Sequence, residues 1–160
     1  MSRNSRLVML VALATVALIG TPALAEGKKI SVGVQDLEAK KVDKDTVSTL
    51  TDILCTEMSK DKRYEVSCAD DLRAILEHSG LNIKMGGCED GDCLKQLGNA
   101  LNKEKFVSGS VGKIGDSFVI TLKMSDVASG KVEKRHSETI KGDVGKLLDG
   151  IKLALKNLLK

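Results

Sequence analysis

Cys55, Cys68, Cys88 and Cys93 are the four cysteines of this 160-residue sequence, and their thiols are its most versatile reactive groups. They could pair, ligate a metal or attack a substrate. The spacings C-x12-C and C-x4-C fit no common zinc pattern. An even count suits a disulfide framework in an oxidising compartment. Of the three pairings, spacing favours Cys55–Cys68, joining a helix to the end of the next strand, with Cys88–Cys93 closing a short loop. Chain-entropy arguments give about 3 kcal/mol for the first and about 2 kcal/mol for the second. Cys88 follows Gly86-Gly87 and could be presented as a nucleophile, but its neighbour Cys93 argues for a bridge.

Glu89, Asp90 and Asp92 set three carboxylates in the same short loop. Calcium needs six or more oxygens, and the spacing matches no EF-hand loop, so capping of the following helix is the simpler role. A hydrolase or metal-dependent enzyme built on Cys88 to Asp92 is the catalytic alternative. His78 sits near a helix end, where a positive charge suits the helix dipole. His136 lies in the charged run KVEKRHSE, which fits a protected sheet edge. Ser108-Gly109-Ser110-Val111-Gly112 lacks the strand–turn–helix setting of a nucleophile elbow. Gly109, Gly112 and Gly115 fall in a strand and its hairpin, not at the helix start that a phosphate loop requires. No catalytic set, metal site or cofactor site is expected, and the chain reads as a non-enzyme.

The surroundings of these residues narrow the class. Arg3 and Arg6 precede an almost wholly apolar run, Leu7 to Ile19, and then Ala23-Leu24-Ala25. This is the pattern of a secretory signal peptide, residues 1–25, cleaved after Ala25. The run of about 13 residues is short of the roughly 20 that span a membrane. The sequence therefore predicts a periplasmic or secreted protein, with no transmembrane segment after cleavage and no cysteine near the cleavage point to take a lipid. Loss of Arg3 and Arg6 lowers the net charge from +3 to +1. With Tyr64, Phe106 and Phe118 its only aromatics, the chain has neither the basic field nor the stacking surfaces of a nucleic-acid binder. Residues 26–160 are expected to form one domain.

The elements that position these residues follow from periodicity. Lys29–Asp36 alternates around Ile30, Val32 and Val34 and reads as a strand, with Gln35–Lys41 as a polar exit loop. Asp43 caps a predicted helix to about Ser59, striped by Val47, Leu50, Leu54 and Met58. Tyr64–Cys68 is a second strand, parallel to the first across the helical crossover. Asp70 is read as the cap of a short helix that Gly80 stops. After the irregular stretch Leu81–Asp92, a helix capped by Asp90 or Asp92 carries Leu94, Leu97 and Leu101. Phe106–Ile140 alternates in polarity around Gly115-Asp116 and Ser129-Gly130, which predicts three antiparallel strands. From Gly142 a helix carries Val144, Leu147, Leu148, Ile151, Leu155 and Leu158 on one stripe, to pack on the free face of the sheet. The expected class is α/β (α+β): a mixed sheet in the order β-α-β-α-α-β-β-β-α, ending in an antiparallel three-strand meander and a C-terminal helix.

Three segments together resemble a known pattern: Phe106–Val111, Val119–Met124 and Asp126-Val127-Ala128-Ser129-Gly130-Lys131-Val132. An apolar strand ending in Gly-Ser, a hairpin, and a strand closing in D-x-x-S-G are similar to the N-terminal domain of TolB. Its relatives, the curli secretion lipoprotein CsgG and the lipoprotein activators of penicillin-binding proteins, share the pattern. The first strand, and the second leading into Asp70-Asp71-Leu72, are similar too, and Cys88-x4-Cys93-Leu94 looks like exported TolB-like proteins of delta-proteobacterial type. The resemblance covers roughly Lys29 to Lys160. It leaves out TolB's β-propeller, the lipidated cysteine and the membrane-spanning hairpins of the curli pore. What it implies is a periplasmic accessory domain that binds an envelope protein or assembles with itself, the alternative being a structural subunit of a cell-surface assembly. The candidate partner surfaces are the edge strand, through Lys131, Glu133 and Arg135, and the loop before the third helix, through Glu89 and Asp90.

Overall fold

The computed structural model describes residues 27–80 and 90–160; the expected signal peptide, Cys88 and Glu89 lie outside them. The described residues share one six-stranded mixed sheet. In chain order they form β1 (Ile30–Val34), β2 (Glu38–Lys40), α1 (Lys44–Met58), β3 (Tyr64–Ser67), α2 (Ala69–Ser79) and α3 (Gly91–Leu101). Then come β4 (Lys105–Ile114), β5 (Ser117–Asp126), β6 (Lys131–Lys141), a 3-10 turn (Val144–Lys146) and α4 (Leu147–Leu158). The sheet runs β3-β1-β4-β5-β6, with β2 also paired to β4. β1 is parallel to β3 and β4, and β4-β5-β6 is the antiparallel meander that the alternation predicts.

Alternation along β4 and β5 gives the sheet two unlike faces. Val107, Val111, Phe118, Ile120, Leu122 and Met124 point to one face and join Leu50, Leu54 and Met58 of α1 and Leu147 and Ile151 of α4 in the main core. Each such side chain, fully buried, contributes about 1.5–3 kcal/mol. Phe106 points the other way. It packs with Leu72 and Leu76 of α2 and Leu94, Leu97 and Leu101 of α3 in a smaller second core. Gly33 makes room for its ring: a Cβ there would lie 2.5 Å from the Phe106 Cε1. At Gly109 a Cβ would overlap the Thr121 carbonyl oxygen, so this glycine is a packing position between β4 and β5.

The sequence reading is corrected at three places. Gln35–Lys41 is not wholly a loop, because Glu38–Lys40 forms β2 along the same edge of β4 that β1 uses. Val34 pairs with Val107 and Glu38 with Ser110, so one extra residue bulges between them. The displaced Leu37 amide donates to Thr51 Oγ1 at 3.2 Å, and that buried hydroxyl donates to the Val47 carbonyl at 3.0 Å. A polar composition conceals this strand, because its only side-chain signal is Ala39. Secondly, Cys68, not Asp70, is the N-cap of α2, and Asp70 sits in the first turn. Thirdly, Val144 and Leu148 are exposed, 48% and 45%. The apolar stripe of α4 is therefore narrower than predicted, and Ala154 completes its buried face.

Cys55 and Cys68 form a disulfide with a Cα–Cα distance of 5.6 Å, tying α1 to the end of β3. Cys93 is disulfide-bonded as well; its expected partner, Cys88, lies outside the described residues. Replacing Cys55 and Cys68 together by Ala is expected to cost about 3 kcal/mol, read as a lower urea midpoint. Gly109→Ala, by overpacking against the Thr121 carbonyl, is expected to cost about 1–3 kcal/mol in the same measurement.

Candidate interaction surface

Asp90 and the start of the edge strand, both singled out in the sequence, lie together at one end of the sheet. Asp90 is the N-cap of α3: its Oδ1 accepts from the Cys93 amide at 2.8 Å. Gly91 and Gly98 lie two turns apart on one face of the helix and bring it against the β5–β6 turn. A Cβ on Gly130 would lie 2.7 Å from the Gly91 Cα, and one on Gly98 would overlap the Val127 methyls. The turn itself is built by Asp126, whose Oδ1 accepts from the Ser129 amide at 2.8 Å, and by Gly130 with φ at 67°. The D-x-x-S-G signature is therefore the seat of α3, which places Asp90 beside the start of β6.

Glu133 occupies a bulge. Met124 pairs with Lys134 and Ser125 with Val132, so Glu133 has no opposite residue. Bulges re-aim side chains, and here Glu133 turns to Lys105 of β4, whose ammonium also lies 3.6 Å from Asp126. One lysine thus holds carboxylates from both other meander strands. Burial works against the Lys105 charge; the Glu133 hydrogen bond and the two carboxylate charges outweigh it and hold the ammonium above the usual lysine value. Asp126 is held below the usual carboxylate value, first by the Ser129 amide, then by the Ser129 hydroxyl, and also by the nearby Lys105. Sequence reasoning missed Lys105 because the bulge is invisible in a run of charged residues.

β6 is the last strand of the sheet, eleven residues long, paired on one side to β5. Its two faces differ. Lys134, His136, Glu138 and Ile140 are half-buried under α4, whereas Arg135, Ser137, Thr139 and Lys141 are exposed. Under the helix, His136 Nε2 lies 2.9 Å from Glu138 Oε2, and Asn157 of α4 approaches both at 3.5 Å. α4 comes this close because Gly150 sits over Ile140, where a Cβ would overlap the Ile140 Cδ1. Lys131 and Arg135 are exposed, and Glu133 is committed to Lys105. Of the acidic pair predicted before α3, Asp90 is committed to its cap and Glu89 lies outside the described residues. Among the described residues, no three His, Cys, Asp or Glu side chains cluster as metal ligands, and no helix is long and apolar enough to cross a membrane.

No protein-family model matches the chain, and no curated protein does. Solved structures do. The C-terminal domain of LpoB from Salmonella enterica aligns with a TM-score of 0.56 at 9% identity, over 73% of this chain and 87% of that one. A PelC dodecamer from Paraburkholderia phytofirmans aligns at 0.56 and 18% identity, over 86% and 91%. TolB from Acinetobacter baumannii aligns at 0.51 and 12% identity, over 83% of this chain and 29% of TolB. At such identities the likeness is one of fold. The chain has an α+β domain fold, and that fold is the one LpoB, PelC and the matching part of TolB share.

The charged cluster carries a pH signature. The stability contributed by a carboxylate with a lowered folded-state pKa is fully present above its unfolded value, about 4, and is lost as pH falls through the folded value. Stability should therefore decline on acidification below about pH 4, and Asp126→Asn should remove part of that decline. Lys105→Ala, which leaves Glu133 and Asp126 without their cation, is expected to cost about 1 kcal/mol by chemical denaturation at pH 7.

Proposed function

We propose that this chain is an exported, non-enzymatic accessory domain of the bacterial cell envelope that works by binding another envelope protein. The observation that carries the reading is the outer edge of β6, which no described strand pairs and which adjoins the N-terminus of α3 at one end. An unpaired edge offers backbone donors and acceptors to an incoming strand, and its charges, including Lys131 and Arg135, discourage indiscriminate pairing. The Cys55–Cys68 disulfide suits an oxidising compartment, as does the signal-peptide pattern of residues 1–25. The fold it has in common with LpoB and TolB supports the same reading, as does the family resemblance in the meander.

A second reading, a subunit of a larger assembly, draws on the dodecameric state in which PelC carries this fold. Sedimentation distinguishes the two: a defined large oligomer of the purified chain favours assembly, and a monomer favours partner binding.

The binding reading predicts that a photo-crosslinking residue at Val132 or Thr139 on β6 captures a discrete envelope protein in cells. The same residue at Asp52, on the exposed side of α1, should not. Identical products from all three positions, or none from β6, would refute it.

A further inference from the structure

The sheet face opposite α1 and α4 is covered unevenly. α2 and α3 pack over Phe106, but beyond it the same face of β4 presents Ser108, Ser110 and Gly112, and no described element lies over the meander there. The strand registers align this face in rows. Glu38, Ser110, Thr121 and Ser137 form one, Lys40, Gly112, Val119 and Thr139 the next, and Ile114, Ser117 and Lys141 the last. Thr121 Oγ1 and Ser137 Oγ are hydrogen-bonded at 3.0 Å. A groove of about 370 Å³ runs along the surface beside Lys40, Lys41, Ser110, Ile114, Val119 and Thr121.

A solvated face on an antiparallel sheet is ordinary. This one is unusual in its charge. Lys40, Lys41, Lys123, Arg135 and Lys141 stand on it or at its groove, and among the described residues of these rows the carboxylate is Glu38, already paired to Lys40 at 3.1 Å. Among the described residues, no carboxylate lies within ion-pair distance of Lys41, Arg135 or Lys141. Yet the chain beyond its signal segment is nearly neutral, so positive charge is concentrated here. The groove floor adds apolar area, with Ile114 72% exposed.

Size selects among occupants. From β2 to β6 is three strand spacings, roughly 14 Å, and from Arg135 to Lys141 is roughly 20 Å. The resulting area, roughly 300 Å², is well short of the about 800 Å² per partner of a stable globular interface. It fits a short extended segment. We propose that this open sheet face docks an acidic, extended polypeptide segment of the partner, with carboxylates at Lys41, Arg135 and Lys141 and an apolar side chain in the groove beside Ile114 and Val119. The inference rests on the protein-binding reading above and adds the surface and chemistry of recognition.

The test uses a short synthetic peptide of alternating glutamate and valine, its lysine–valine counterpart, and phosphatidylglycerol vesicles as probes of the full chain beyond the signal segment. The glutamate peptide should bind, more weakly as salt rises, and the lysine peptide should not. Arg135→Glu with Lys141→Glu should weaken binding at least about tenfold. Lys152→Glu with Lys156→Glu, on the exposed side of α4, should leave it unchanged. Circular dichroism and thiol titration confirm that both variants keep fold and disulfides. Equal binding of the two peptides, no effect of the Arg135/Lys141 reversal, or binding to vesicles without binding to the glutamate peptide would each overturn the proposal. So would a wild-type dimer that this reversal abolishes, because the occupant would then be a second copy. If β6 still crosslinks to a different envelope protein while any of these occurs, the protein-binding reading stands and only the acidic-segment proposal falls.

Discussion

The architecture turns on what β4 presents to each side. Its odd positions, Val107 and Val111, are apolar and fully buried under α1 and α4. Its even positions start with Phe106 and then change to Ser108, Ser110 and Gly112. A pleated strand cannot change which face a residue serves without slipping its register. The change from ring to hydroxyl therefore sets where a second helical layer has something to bury. α2 and α3 stop at Phe106 because apolar surface beyond it is scarce. Among the described residues, helices close one face along its length and the other at the Phe106 end.

Glycine then sets how near the layers come. Gly33 lets the Phe106 ring down onto the sheet, Gly91 and Gly98 let α3 onto the β5–β6 turn, and Gly150 lets α4 onto β6. These are close approaches that side chains would block. The sheet, the two helical layers and the charged Lys105 cluster are consequently parts of one arrangement, with the D-x-x-S-G turn at their junction.

Much of this was legible in the residues. The meander, the parallel β1–β3 pair, the four helices and the Cys55–Cys68 bridge follow from period, turn chemistry and spacing. β2 did not, because a three-residue strand rich in charge carries no alternation to read, and its pairing depends on β4, far along the chain. The seat of α3 was present as a motif without its meaning: Gly130 looked like a hairpin glycine, and only the fold brings Gly91 to it. The edge strand was identified, but the bulge at Glu133 was not, since a bulge is a property of two strands and the signal lay in one. Asp90 and Glu133 were singled out for their charge, and the structure commits both to partners within the chain.

The pairing of β1 with β4 has a bearing on how the chain reaches this state. Ser31 and Glu104, hydrogen-bonded at the start of that ladder, are 73 residues apart in sequence. Without β4, the edge of β1 that β4 pairs would have no strand beside it. Pairing across so long a stretch of chain is slow to form, because loop closure must precede the contacts that reward it. The N-terminal half therefore holds only the β1–β3 pair of this sheet, and both β1 and β2 depend on the C-terminal meander to complete their ladders.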